Sequence, residues 1–178
     1  MRIISGHNRG RKIKTPPNLP VRPTTDFAKE GLFNILANRV NFETLNVLDL
    51  FAGTGNISFE FASRGAVSIK SIDTNNQCVE FIRRTAVELK FENLRSIKSN
   101  AFKFLSNAVE TFDLIFADPP YDLEEAINIP DLVFENELLN DDGILIVEHA
   151  RNLSFSDHYN FTQHRKYGNV NFSFFEKI

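Results

Sequence analysis

Asn46-Val47-Leu48-Asp49-Leu50-Phe51-Ala52-Gly53-Thr54-Gly55-Asn56 is a short apolar run that closes in a turn bearing two glycines. Ile57, Phe61 and Ala62 follow at helical spacing, and Gly65 marks a stop. The stretch therefore reads as strand, tight turn, helix. The same alternation continues downstream: a strand at 68–73, a helix at 76–90 with Val79, Ile82, Ala86 and Leu89 on one face, and a strand at 95–99. A short helix is expected at 101–108 and a strand at 113–117. Ile144 to Glu148 reads as a buried strand introduced by the turn Asp141-Asp142-Gly143. Strands that alternate with helices specify an α/β fold, a mostly parallel sheet covered on both faces. The tail departs from that pattern, because 161–167 and 170–176 flank Gly168-Asn169 as a β-hairpin. The expected architecture is a doubly wound, mostly parallel seven-stranded sheet that ends in an antiparallel hairpin.

Upstream of the first strand, Thr25 and Asp26 are candidate caps for a helix carrying Ala28, Leu32, Ile35 and Leu36. The Pro-rich stretch from Thr15 to Pro23 separates that helix from a basic segment. Residues 1–22 hold Arg2, Arg9, Arg11, Lys12, Lys14 and Arg22 and no acid, a local charge of +6 that leaves −9 for the rest of a chain whose net charge is −3. A basic arm on an acidic body binds phosphates locally while the body stays soluble; a solvated, partly disordered terminus gives the same pattern. The expected division is an arm with a Pro-rich segment over 1–24 and one domain over 25–178.

Composition narrows the class. At 178 residues the chain can bury one α/β core, and 42% hydrophobic with 24% charged residues is ordinary for a globular protein. The 18 Phe in the absence of Trp point to core packing. No apolar stretch approaches the ~18 residues of a membrane span, and residues 1–14 lack the apolar run of a secretory signal, so a cytoplasmic protein is expected. The single cysteine, Cys78, precludes an intramolecular disulfide and reads as a core residue. His7, His149, His158 and His164 have no metal-ligand spacing, so no metal is implied.

In an open α/β sheet, ligands bind beyond the carboxyl ends of the strands, where the strand order reverses. Gly53 and Gly55 sit at the first such end and permit close backbone approach. Ser58 occupies the third position of a dinucleotide G-x-G-x-x-G pattern, which weakens a dinucleotide reading, and no G-K-[ST] follows for a triphosphate loop. Asp73 closes the second strand, about 20 residues beyond the glycines, where a carboxylate can accept both hydroxyls of a ribose. It could equally cap the helix that follows. Asp118-Pro119-Pro120-Tyr121, after the strand at 113–117, is the most specific feature. The prolines fix φ and lack N–H groups, so the carbonyls are held rigidly. The Asp118 carboxylate and the Pro119 carbonyl are two acceptors for the two hydrogens of an aromatic amine, and Tyr121 offers a face on which to stack the base.

Taken together, DLFAGTG at 49–55, Asp73, Asn100-Ala101 and DPPY at 118–121 resemble the class I S-adenosylmethionine methyltransferases that act on exocyclic amines. RIISGHNRGRKI at 2–13 and VRPTTDFAKEGLFNIL at 21–36 resemble the RsmD family, which methylates guanine N2 in 16S ribosomal RNA. The resemblance runs from Arg2 through the hairpin. It implies S-adenosylmethionine as cofactor, with Asp49, Phe51, Ala52, Gly53 and Gly55 around its methionine part, Asp73 at the ribose and Asn100 and Ala101 near the adenine. It makes Asp118, Pro119, Pro120 and Tyr121 the catalytic motif. Arg9, Arg11, Lys12 and Arg22 become RNA contacts, and Thr24 and Thr25 lie near the active-site mouth. The implied partner is 16S ribosomal RNA within a small subunit or its precursor, met by a monomer.

Two features depart from the family pattern: many relatives have Glu where Asp73 stands, and the acidic segment 123–142, interrupted by Pro130, yields no assigned helix. Three other readings share these motifs. A DNA methyltransferase acting on adenine N6 or cytosine N4 would need extra surface to read the major groove. A non-catalytic RNA-binding assembly factor on the same fold would not consume the cofactor. A small-molecule amine methyltransferase would work without RNA.

Overall fold

The computed structural model describes residues 1–17, 19 and 25–178. Arg22 and Thr24 lie outside the described residues. Among the described residues five α-helices alternate with the first five strands and a hairpin follows: α1 (Asp26–Leu36), β1 (Asn46–Leu50), α2 (Asn56–Ser63), β2 (Ser68–Asp73), α3 (Asn76–Glu88), β3 (Leu94–Lys98), α4 (Ala101–Asn107), β4 (Phe112–Ala117), α5 (Ile129–Glu135), β5 (Leu139–His149), β6 (Phe161–Tyr167) and β7 (Val170–Glu176). The seven strands form one sheet in the order β3-β2-β1-β4-β5-β7-β6. β1 pairs in parallel with both β2 and β4, so the strand order reverses between β1 and β4, and β7 lies antiparallel to both β5 and β6.

Alternation along the strands sorts side chains to two cores. Val47, Ile69, Leu114, Phe116 and Ile146 face the layer of α1, α2 and α3. Leu48, Leu50, Ile115, Ala117 and Val147 face α4 and α5. The phenylalanines fill both layers: Phe33, Phe59, Phe61, Phe116, Phe172, Phe174 and Phe175 are all fully buried. Each contributes about 1.5–3 kcal/mol of burial. Cys78 is buried in the α1–α3 core.

Two local expectations are corrected. Asp141-Asp142-Gly143 is not a turn. β5 runs through it, with a register shift where Phe112 pairs with Leu139 and Leu114 with Ile144, so the polar residues sit at an irregularity in the strand. Segment 123–142 does hold a helix, for Pro130 stands in the first turn of α5, where a missing N–H costs nothing.

The basic segment is docked on the body. Arg2 and Lys12 form an antiparallel bridge, and Ile3 and Ile13 are buried. The amides of Ile4 and Ser5 donate to the buried Glu60 carboxylate at 2.9 and 3.0 Å. Lys29 Nζ, also buried, donates to the Arg2 carbonyl at 2.6 Å and to Asn56 Oδ1 at 2.8 Å, with Glu60 at 3.5 Å. Burial lowers the Lys29 pKa from its ordinary value, opposed by Glu60. Gly6 has φ +80, and a Cβ there would stand 1.8 Å from the Ser63 carbonyl oxygen. That contact seats the turn at 6–10 on the C-terminal end of α2.

Candidate active site

At the reversal point the chain leaves β1 through three residues of positive φ: Phe51 (59°), Gly53 (54°) and Gly55 (75°). A non-glycine residue in that region is uncommon and strained, and Phe51 adopts it at the entrance to the turn. Gly55 is required twice over. Its φ favours glycine, and a Cβ would come within 2.8 Å of Ile82 and 3.0 Å of Phe59. The turn is fixed by hydrogen bonds from Ala52 N to the Ile72 carbonyl (3.0 Å) and from Gly55 N to the Ala52 carbonyl (2.7 Å).

Asp73 is pinned to this turn. Its Oδ2 accepts the Gly53 amide at 2.8 Å and its Oδ1 the Asn75 amide at 2.7 Å. The cap of α3 is Asn75, whose side chain accepts from Gln77 N and Cys78 N, so Asp73 itself does not cap that helix. Asn100 caps α4, accepting the Lys103 amide at 3.0 Å, and is held next to Asp73 by the bond from Ser99 N to the Asp73 carbonyl. Ala101 is buried as the first residue of that helix. Beside Asn100 opens a cleft of about 710 Å³ walled by Phe102 and Leu123 among others. Phe102 meets Phe51 edge to face, with ring centroids 6.1 Å apart, which joins the cleft to the glycine turn. Its volume lies within the range of small-molecule sites.

Asp49 lies on β1, buried on the α1–α3 side. Its Oδ2 accepts the Ser58 amide at 3.1 Å and also the Ser58 hydroxyl, and Ser58 Oγ reaches Ser71 Oγ at 2.6 Å. Ser58, read from the sequence as a missing glycine, thus ties α2 to β1 and β2. Burial pushes the Asp49 carboxyl up to about 7, the Ser58 bonds oppose the rise, and Asp73 adds to it.

Asp118 follows β4, its amide bonded to the Leu50 carbonyl at 3.3 Å. Pro119 is buried, Pro120 exposed, and Tyr121 is 52% exposed. The register Ala117 with Val147, extended by one residue, sets Asp118 opposite Glu148 on β5. Glu148 is only 3% exposed, and Tyr121 Oη donates to its Oε1 at 3.4 Å. Burial, then Glu148, then Asp49 hold the Asp118 carboxyl well above the ordinary carboxylate range. Sequence reasoning missed Glu148. The available signal was an acid closing a buried strand, as Asp73 closes β2.

The structure thus gathers Asp49, Phe51 to Gly55, Asp73, Asn100 and Asp118 to Tyr121 at the carboxyl ends of β1 to β4. It gathers only part of the arm. Arg9 is exposed on the turn seated at the C-terminal end of α2, roughly 10 Å along that helix from the glycine turn, whereas the exposed Lys12 pairs with Arg2, whose carbonyl is bonded to Lys29 and through it to Asn56, the first residue of α2. Thr25 caps α1, its Oγ1 accepting the Ala28 amide at 3.2 Å. Among the described residues no group of His, Cys, Asp and Glu could hold a metal ion, and no helix is long and apolar enough to cross a membrane.

A glycine turn after the first strand, an acid closing the second and an acid-Pro-Pro-aromatic motif after the fourth, on a sheet of this order, define a class I methyltransferase, with S-adenosylmethionine as cofactor. The family model described as conserved hypothetical protein 95 matches residues 1–176, and the chain belongs to this family, the RsmD methyltransferases. It is 36% identical over 151 residues to ribosomal RNA small subunit methyltransferase D of Escherichia coli strain K12, covering 83% of this chain and 74% of that one. It is 30% identical over 161 residues to a protein of Bacillus subtilis named as a putative rRNA methyltransferase, YlbH, covering 88% and 86%. The solved structure of the putative methyltransferase yhhF from Escherichia coli superposes with a TM-score of 0.86 at 29% identity, over 99% of this chain and 97% of that one.

Proposed function

We propose that the chain methylates the exocyclic N2 of a guanine in small-subunit ribosomal RNA, working as a monomer in the cytoplasm on the subunit or its precursor. The observation that carries the reading is the placement of Asp118-Pro119-Pro120-Tyr121 directly across from the glycine turn, with Asp118 bonded to Leu50 at the end of β1. The names of the relatives support the ribosomal substrate.

The residues fit the cofactor: the glycine turn admits close backbone approach, Asp73 keeps lone pairs for ribose hydroxyls, and Asn100 and Phe102 border an open cleft beside that turn. S-adenosylmethionine bound there supplies an electrophilic methyl on a sulfonium. Asp49 is the least direct member of the set, acting through Ser58 and α2 on the shape of the turn.

In this reading the Asp118 carboxylate and the Pro119 carbonyl accept the two amine hydrogens, which frees the nitrogen lone pair and aims it in line. Tyr121 stacks on the base. The nitrogen would gain the methyl carbon as the methyl–sulfur bond of the sulfonium breaks and leaves a neutral thioether, and its surplus proton would pass to Asp118 or to water. Only the ionised Asp118 can take up a proton, and the positive charge of the sulfonium, if held beside the glycine turn, would favour that form over the protonated one that burial and Glu148 promote.

The test is transfer of labelled methyl to small ribosomal subunits lacking guanine N2 methylation, by wild type and Asp118→Ala side by side. Label on guanine N2 that falls by at least about a hundredfold in the variant is expected. Cofactor binding without any transfer to these subunits would overturn the substrate.

A further inference from the structure

Glu148 is a buried acid that the methyl-transfer steps leave unused. It stands at the carboxyl end of β5, where the register sets it beside Asp118 of β4, one strand spacing or about 4.8 Å away. Alternation sends the two side chains to one face of the sheet. Ile146 and Phe116, two residues before each, both face the layer of α1, α2 and α3, and Asp49, two residues beyond Val47, faces that way too. After burial, the charges of Glu148 and then Asp49 raise the Asp118 carboxyl, in keeping with that shared face. The neighbour of Glu148 on its other side, Phe172 of β7, is fully buried, so packing alone calls for an apolar side chain at this point. Acids set side by side in a buried site repel each other, and such arrangements cluster where chemistry needs them.

Tyr121 fixes where this carboxylate stands relative to the substrate. Its hydroxyl donates to Glu148 Oε1 at 3.4 Å, so Glu148 lies at the rim of the ring on which the base stacks. A base whose amine is held by Asp118 and Pro119 presents to that rim the ring position next to the amine. An ionised carboxylate only accepts hydrogen bonds, and its two oxygens have room for several, so it serves Tyr121 and a base edge together. In guanine the ring nitrogen beside the amine on the pairing edge is N1, which carries a hydrogen. The corresponding nitrogens of adenine (N1) and cytosine (N3) are bare, and their lone pairs are repelled by a carboxylate.

We propose that Glu148 selects guanine by accepting its N1 hydrogen while Asp118 and Pro119 hold the amine, resting on the reading of the chain as a guanine N2 methyltransferase. Guanine then offers three hydrogens on one edge to three acceptors. Adenine or cytosine, placed with its amine on Asp118, sets a lone pair against the Glu148 carboxylate instead. Glu148 thus excludes the adenine N6 and cytosine N4 substrates that the Asp-Pro-Pro-Tyr motif alone would admit.

The experiment uses the full chain and small ribosomal subunits reconstituted with RNA that carries, at the nucleotide methylated by the wild type, either guanine or 2-aminopurine. The analogue keeps the amine and lacks the N1 hydrogen. Wild type is expected to favour guanine at least about a hundredfold in kcat/KM. Glu148→Gln introduces an amide donor that matches a bare N1, so the preference should narrow at least about tenfold. A side chain that merely supported Tyr121 would lower both rates alike and leave the preference where it was. Equal methylation of the two bases by wild type, or an unchanged preference in Glu148→Gln, would overturn the role of Glu148 while leaving the methyltransferase reading intact. The wild-type comparison stands by itself if the variant fails to fold. Subunits lacking guanine N2 methylation that take no label from the wild type would overturn the reading itself.

Discussion

The carboxylate of Asp73 accepts the backbone amide of Gly53 at 2.8 Å and so locks the end of β2 to the glycine turn of β1. One carboxylate shapes the turn and keeps lone pairs for a ribose. Asp73→Ala is therefore expected to raise the dissociation constant for S-adenosylmethionine at least tenfold, since charge-assisted hydrogen bonds contribute about 1.5–3 kcal/mol each. Isothermal calorimetry checks this, and an unchanged constant would remove Asp73 from the cofactor site.

Tyr121 divides into a ring and a hydroxyl that can be tested apart. Tyr121→Ala removes the stacking face and is expected to lower kcat/KM by about 10- to 100-fold, from a stacking contribution of roughly 1–3 kcal/mol. Tyr121→Phe keeps the face, loses the long hydroxyl bond to Glu148 at 3.4 Å and should cost less than about fivefold. Equal losses in the two variants would show that the hydroxyl, not the face, carries the effect.

Periodicity made the fold legible because β1 to β4 and the hairpin are local patterns: β1 and β4 are short apolar runs, β2 and β3 mix apolar with polar residues between helices, and Gly168-Asn169 marks the turn of the hairpin. The site was legible where a motif is contiguous, as in 49–55 and 118–121. It was not legible where partners meet only through the sheet. Glu148 stands beside Asp118 because β4 and β5 are neighbours, and Ser58 reaches Asp49 because α2 folds back on β1. Asp141 to Gly143 misled for a related reason: turn-forming residues also serve at a strand irregularity, and only the pairing with β4 tells the two apart. Pro130 looked like an interruption because a helix start depends on what precedes it.

The basic arm is expected to act on RNA alone. Arg9→Ala with Arg11→Ala should weaken binding to small subunits and flatten its salt dependence, because both side chains are exposed on the docked turn, while cofactor affinity stays the same. RNA affinity equal to wild type in that double variant would show that the turn does not touch phosphates.

Glu60 is the anchor of that arm, taking the amides of Ile4 and Ser5, Arg64 Nε at 2.9 Å and the neighbouring Lys29 ammonium. Glu60→Ala leaves the buried Lys29 without its countercharge and is expected to cost about 3–5 kcal/mol in urea unfolding. Native-state trypsin should then cut at Arg9, Arg11 and Lys12 faster than in wild type. A loss below about 1 kcal/mol with an unchanged digestion pattern would mean that the arm is held by its isoleucines instead.

Asp49 sets a pH dependence of stability whose sign runs against the usual one for acids. Burial raises its carboxyl from the ordinary 3.8 to about 7 in the folded protein. Between those values the native state holds a proton that the unfolded chain has released, so stability falls as pH rises through the window and levels off above it. The full effect is at most about 4 kcal/mol. Asp118, raised chiefly by burial, contributes in the same direction, so the informative quantity is the difference between wild type and Asp49→Asn. Urea unfolding of the cofactor-free protein from about pH 4 to about pH 8 should show a steeper decline in wild type than in the variant. Parallel curves would mean that Asp49 is ionised throughout, with the Ser58 hydrogen bonds outweighing its burial.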